Sequence, residues 1–141
     1  MITHEQENKI REFVKDRPVE LVYLFGSRAN GAAKPLSDFD FAILFSHSLP
    51  DKERFELRLA AISFLTALFG KNEVDVLDLN LAPPALRFAA VAPRQNIYAK
   101  SEDARISFEC RVMSAYFDQL YYLNRHTKQS LATIARQGLT R

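Results

Sequence analysis

The sequence predicts an α/β or α+β fold, a small mixed β-sheet packed with helices and closed by a long C-terminal helix. Short runs of β-forming residues alternate along the chain with amphipathic helical patterns, the signature of a sheet covered by helices. The 141 residues are enough for one core and little more, and no internal repeat, low-complexity segment or Gly/Ser linker divides them, so a single domain over 1–141 is expected.

Glu5 to Asp16 sets Ile10, Phe13 and Val14 at helical spacing among charged residues, and Asp16-Arg17-Pro18 then turns the chain away from helix. Val19 to Phe25 is rich in β-formers and ends at Gly26, which points to a largely buried strand followed by a tight turn. Ser37 to Phe45 alternates, with Asp38, Asp40, Ala42 and Leu44 on one side and Phe39, Phe41, Ile43 and Phe45 on the other. The phenylalanine side is expected to be core, and the two carboxylates share the opposite side.

From Asp51 to Phe69 an apolar stripe of Phe55, Leu59, Ile62, Leu65 and Phe69 predicts a helix across the sheet, ended by Gly70. Glu73 to Leu79 reads as a strand, Pro83-Pro84 opens a short helix to about Val91, and Gln95 to Ala99 reads as a small last strand. A long helix over about 102–137, continuous or broken once, follows from Ile106, Cys110, Met113, Phe117 and Leu120 at steps of four and three, continuing less regularly through Leu123, Leu131 and Ile134.

Composition excludes several classes of function. Apolar residues at 48% and charged residues at 26% are ordinary for a globular protein, against disorder or a coiled-coil rod. Nineteen basic and seventeen acidic residues leave a net charge of +2, too small for a grip on nucleic acid through phosphates. The longest mostly apolar stretch, Leu57 to Phe69, is interrupted by Arg58, Ser63 and Thr66 and is too short for a membrane span. The first ten residues lack the apolar segment of a secretory signal, so a cytoplasmic location is expected. The one cysteine, Cys110, is expected as a small buried side chain, and His4, His47 and His126 show no metal-ligand spacing.

The chemistry-bearing stretch joins Gly26-Ser27-Arg28 to Asp38-Phe39-Asp40. Two aspartates one residue apart on a strand project the same way and offer hard oxygen ligands for a divalent cation. An isolated Asp-x-Asp is more often the wet face of an edge strand. Gly26 lets the backbone approach a ligand, and amides with the Ser27 hydroxyl bind phosphate oxygens. Arg28 is either a bidentate phosphate contact or a solvated surface residue. Gly26 and Gly31 begin a P-loop pattern, but Ala32-Ala33 stand where Lys and Ser/Thr are required, so that reading fails.

Gly-Ser, a spacer of about ten residues and then Asp-x-Asp resembles the nucleotidyltransferase superfamily that includes DNA polymerase β. The compact length, with Val74-Asp75-Val76-Leu77-Asp78 and Pro83-Pro84-Ala85-Leu86-Arg87-Phe88, is similar to the minimal nucleotidyltransferases, in particular the MntA antitoxin family paired with HepT toxins. The resemblance implies the nucleotidyltransferase fold and a third metal-binding carboxylate on a neighbouring strand, for which Asp75 is chosen; Asp78 lies on the opposite strand face unless a bulge intervenes. It also implies two Mg2+ ions held by Asp38, Asp40 and Asp75, triphosphate binding at Gly26, Ser27 and Arg28, ATP as donor, and as acceptor a tyrosine of a HEPN-family ribonuclease toxin in a hetero-oligomer.

Two alternatives stand beside it. One is a nucleotidyltransferase for a small molecule, for which the chain is short of an acceptor pocket. The other is a non-catalytic antitoxin that masks its toxin through the long helix, where Phe117 is expected in the core and Tyr116 and Tyr122 at an interface. Arg87, Arg94 and Lys100 lie near the Asp75 strand and are left unassigned.

Overall fold

The computed structural model describes residues 2–26, 38–70, 73–92 and 95–137. The described chain runs α1 (His4–Val14), β1 (Val19–Phe25), β2 (Phe39–Phe45), α2 (Asp51–Phe69), β3 (Val74–Asp78), α3 (Pro84–Val91), β4 (Gln95–Ala99) and α4 (Glu102–Gln137). The four strands form one mixed sheet in the order β3-β2-β1-β4. β1 pairs antiparallel with β2 and with β4, and β2 pairs parallel with β3, a connection that requires the crossover α2 supplies.

The N-terminal helix begins where its backbone donors find partners. Thr3 Oγ1 accepts from the Gln6 amide at 3.1 Å, and Gln6 Oε1 accepts from the Thr3 amide at 2.9 Å, a reciprocal cap.

Both faces of the sheet are covered. On one, Phe41, Ile43 and Phe45 pack with Val22, Leu24 and Val76 beneath Ile10 and Val14 of α1 and Ala61, Leu65 and Phe69 of α2. On the other, Leu21, Tyr23, Ala42 and Leu79 meet Ala90 and Val91 of α3 and Phe108 and Val112 of α4. This corrects the reading of the Asp38/Asp40 side as simply opposite the core: Ala42, on that side, is fully buried. β2 is also an interior strand, so the edge-strand reading of its aspartates does not hold.

The stripe of α2 differs from the expected one. Arg54, Ala61, Leu65 and Phe69 are buried, while Phe55 and Leu59 are exposed. Two arginines turn the helix: Arg54 donates to Asp78 Oδ2 and Arg58 Nε to the Val76 carbonyl, both at 2.8 Å, so these cations lie over β3 where apolar residues were expected.

The last helix is continuous from Glu102 to Gln137, the first of the two expected forms. Its first turns are anchored by Phe108, Val112 and buried Glu109, whose Oε2 accepts from the Tyr23 hydroxyl at 2.7 Å and from Arg105 at 2.9 Å. The stripe expected in the core points outward: Cys110 is exposed, as are Ile106, Met113 and Phe117. The face that packs on the domain is instead the one carrying Phe108 and Val112. Tyr116 lies flat on Phe88 of α3 at 4.0 Å between ring centroids, which reverses the expected roles of Tyr116 and Phe117. No described helix is long and apolar enough to cross a membrane.

Candidate active site

Sheet register brings three elements of the motif into one row. Phe25, the last residue of β1, is paired with Asp40 of β2, and Asp40 is paired in parallel register with Asp75 of β3. Gly26 follows directly with φ +75°, a conformation that favours glycine. A Cβ at Gly26 would lie 2.6 Å from Asp40 Oδ2, so the missing side chain is what lets the turn close against the carboxylate. That contact ties the strand-end glycine of the motif to its second aspartate.

Electrostatics single out the same residue. Burial first, then the negative charges of Asp75 and Asp38, hold the Asp40 carboxyl above its ordinary value. Among the described residues, both charged groups that act on it are negative. Asp38, two residues earlier, is exposed, as is Asp75. Among the described residues no three His, Cys, Asp or Glu side chains are gathered closely enough to hold a metal ion, so the expected convergence of all three carboxylates is absent from this conformation.

Asp78 is engaged elsewhere. It lies on the face toward α2, where its Oδ2 accepts from Arg54 Nε, and both side chains are about one-tenth exposed, 11% and 10% respectively. Its Oδ1 also accepts from the Asn80 amide at 2.9 Å. Period-two alternation anticipated the opposite faces of Asp75 and Asp78; the arginine partner, 24 residues away, left no such signal.

Several predicted positions take other roles or fall outside the described residues. Ser27, Arg28 and Arg94 lie outside them. Arg87 donates through Nε to the Leu79 carbonyl at 2.8 Å and through a terminal nitrogen to the Asn80 carbonyl at 3.1 Å, which fixes the turn after β3. Asn80, which the sequence reading did not single out, exchanges two hydrogen bonds with the Phe45 backbone and clamps the ends of β2 and β3 together. A cavity of about 640 Å³ lies between the sheet and α4, lined by Leu21, Leu44, His47, Arg87 and Arg111, and none of the three aspartates borders it.

With this geometry in view, the relatives are informative. The family described as Polymerase beta, Nucleotidyltransferase matches residues 8–103, a span that contains Gly26, Asp38, Asp40 and Asp75. The chain is 30% identical over 112 residues to the protein adenylyltransferase MntA of Shewanella oneidensis, covering 78% of this chain and 76% of that one. Its fold is similar to a crystal structure of a toxin–antitoxin with AMP-PNP, at TM-score 0.62 and 22% identity over 96% of this chain and 99% of that one. It is similar also to the MNT antitoxin in complex with the tri-AMPylated Shewanella oneidensis HEPN toxin, at TM-score 0.60 and 23% identity with the same coverage. At these identities the structural likeness is one of fold. The matched span and the relative together place the chain in the polymerase β-type nucleotidyltransferase family, on the branch of the MntA protein adenylyltransferases.

Proposed function

We infer that this protein transfers AMP from ATP to a tyrosine of a cognate HEPN-family toxin of the HepT type and thereby acts as its antitoxin. The observation that carries the reading is the row formed by Gly26, Asp40 and Asp75 across three strands, in a chain of the adenylyltransferase branch. The toxin as acceptor is supported by the AMPylated toxin that accompanies a protein of the same fold. A cytoplasmic place of action accords with ATP as donor.

Asp38, Asp40 and Asp75 are the residues proposed to hold Mg2+, two ions in all. The donor set fits: carboxylate oxygens suit a hard divalent cation, and Asp40 is raised first by burial and then by the negative charges of Asp75 and Asp38, which a cation would offset. When bound, Mg2+ neutralises phosphate charge and lowers the pKa of an acceptor hydroxyl. Gly26 brings its backbone against Asp40, and Ser27 with Arg28 is proposed to bind the triphosphate. Asp75, on the neighbouring strand, is proposed to take up the proton of the acceptor hydroxyl. The oxygen of that hydroxyl attacks the α-phosphorus in line, the bond to the β-phosphate oxygen breaks, and pyrophosphate leaves.

Mass spectrometry of the toxin after incubation with this protein, ATP and Mg2+ tests the reading. An increase in AMP units is expected, absent with Asp38→Asn/Asp40→Asn. An unmodified toxin, with equal protection of cells by wild type and that double variant, would replace the reading by masking alone.

A further inference from the structure

Phe117 still meets the Phe88 ring edge-on at 6.0 Å between centroids; beyond it every described side chain of α4 to Arg136 is exposed, so the second half of this helix stands clear of the domain as an arm. Its 21 residues, 117–137, span about 30 Å. The arm is not uniformly polar. Met113, Phe117, Leu120, Leu131 and Ile134 fall on one seam, and Phe117, Leu131 and Ile134 are 56%, 61% and 45% exposed.

The steps along that seam are four, three, four, three, four and three once Asn124 and Thr127 are counted between Leu120 and Leu131. This is an a/d heptad register with Asn124 at an a position and Thr127 at the next d, flanked by exposed Tyr121 and Leu123 at e and g. Apolar residues at a and d with flanking e and g, on a helix face that its own domain does not cover, are the pattern of a helix that packs on another helix. A polar a residue fixes register and partner in such pairs.

Charge decides between a second copy and a different protein. The arm contains Arg125, Lys128 and Arg136, with His126, against one acid, Asp118 at its base. Two copies side by side would bring an excess of like charge together, whereas a helix with acidic flanks would be drawn to the arm.

We propose that the heptad seam of the α4 arm, from Phe117 to Ile134, is the surface that holds the protein acceptor, by pairing with a toxin helix that has an apolar seam, acidic flanks and a polar residue opposite Asn124. The proposal rests on the reading that the chain modifies a protein toxin. It separates holding the acceptor, by α4, from transferring AMP, by the row on β1, β2 and β3.

The test is Leu131→Ser/Ile134→Ser, far from the domain core, with circular dichroism to verify that the helix is retained. Toxin affinity, measured by calorimetry, should fall about tenfold or more. KM for the toxin in AMP transfer should rise by a similar factor, with kcat at saturating toxin unchanged. Arg125→Glu/Lys128→Glu should weaken binding less and flatten its dependence on salt. Asp38→Asn/Asp40→Asn should bind the toxin as wild type does. Wild-type affinity and KM in the seam variant would overturn the proposal, as would a homodimer of the protein alone that Leu131→Ser/Ile134→Ser dissociates, which would assign the seam to a second copy. A wild-type protein that binds the toxin through the arm but adds no AMP would overturn the proposed activity and leave the docking surface standing.

Discussion

β3 carries two aspartates, three residues apart, whose surroundings differ in kind. Asp78 faces α2, is nearly buried, and is matched by the Arg54 guanidinium at 2.8 Å, which in turn reaches Asp51. Asp75 faces the other way, is exposed, and stands beside Asp40, another acid, with Asp38 adding to the same negative field. One strand thus presents a charge balanced from within the fold and a charge that raises the energy of its neighbour. The first arrangement holds α2 to the sheet. The second gathers like charge, with no cationic side chain beside it among the described residues.

Substitutions on the two sides should therefore act in opposite ways. The largest effect is expected from Asp38→Asn/Asp40→Asn, which should reduce AMP transfer by about 10³-fold or more, measured as initial rates with the toxin, and should leave the fold intact. Next, Asp78→Ala leaves Arg54 buried without its inner partner. Breaking such a pair costs about 3 kcal/mol, a fall of roughly 10 °C in Tm by calorimetry. An unchanged Tm would mean that Asp51 alone satisfies Arg54.

Gly26→Ala combines a positive φ with a Cβ crowding Asp40 Oδ2, and should lower stability by about 1–2 kcal/mol and impair transfer together. Loss of one without the other would separate the turn from the carboxylate. The smallest effect has the opposite sign. Asp40 titrates above its usual 3.8, so the benefit of its protonated form is complete at acid pH and is lost as pH rises through its raised value. Asp40→Asn should consequently have a higher Tm than wild type at neutral pH, and the difference should close on acidification.

Much of this comparison was legible in the sequence, and its limits have physical causes. The alternation of Asp38 to Phe45 and of Val74 to Asp78 assigned faces correctly, because a strand's period of two is rigid wherever both sides are packed. The row from Gly26 through Asp40 to Asp75 followed from motif spacing plus a family resemblance; spacing alone does not reveal that β3 lies parallel to β2. Helical stripes were less reliable. In α2, Phe55 and Leu59 lay on an apolar pattern as good as the one that was buried, and long-range bonds from Arg54 and Arg58 to β3 decided the rotation. In α4, two patterns share one helix: Phe108 and Val112 pack on the domain, and the heptad seam that dominates the sequence is the one left outside, which is why Cys110 and Phe117 were misplaced. A periodic apolar stripe reports that something covers it without saying whether the cover is its own chain.

On the proposed function, the face shared by Asp40 and Asp75 takes the metal and the nucleotide, and the face of Asp78 does not. Calorimetric titration of Mg2+ and AMP-PNP into wild type, Asp75→Asn and Asp78→Asn tests it most directly. Binding should be lost with Asp75→Asn and retained, on a less stable protein, with Asp78→Asn. Retained binding in Asp75→Asn, with loss in a folded Asp78→Asn, would contradict it.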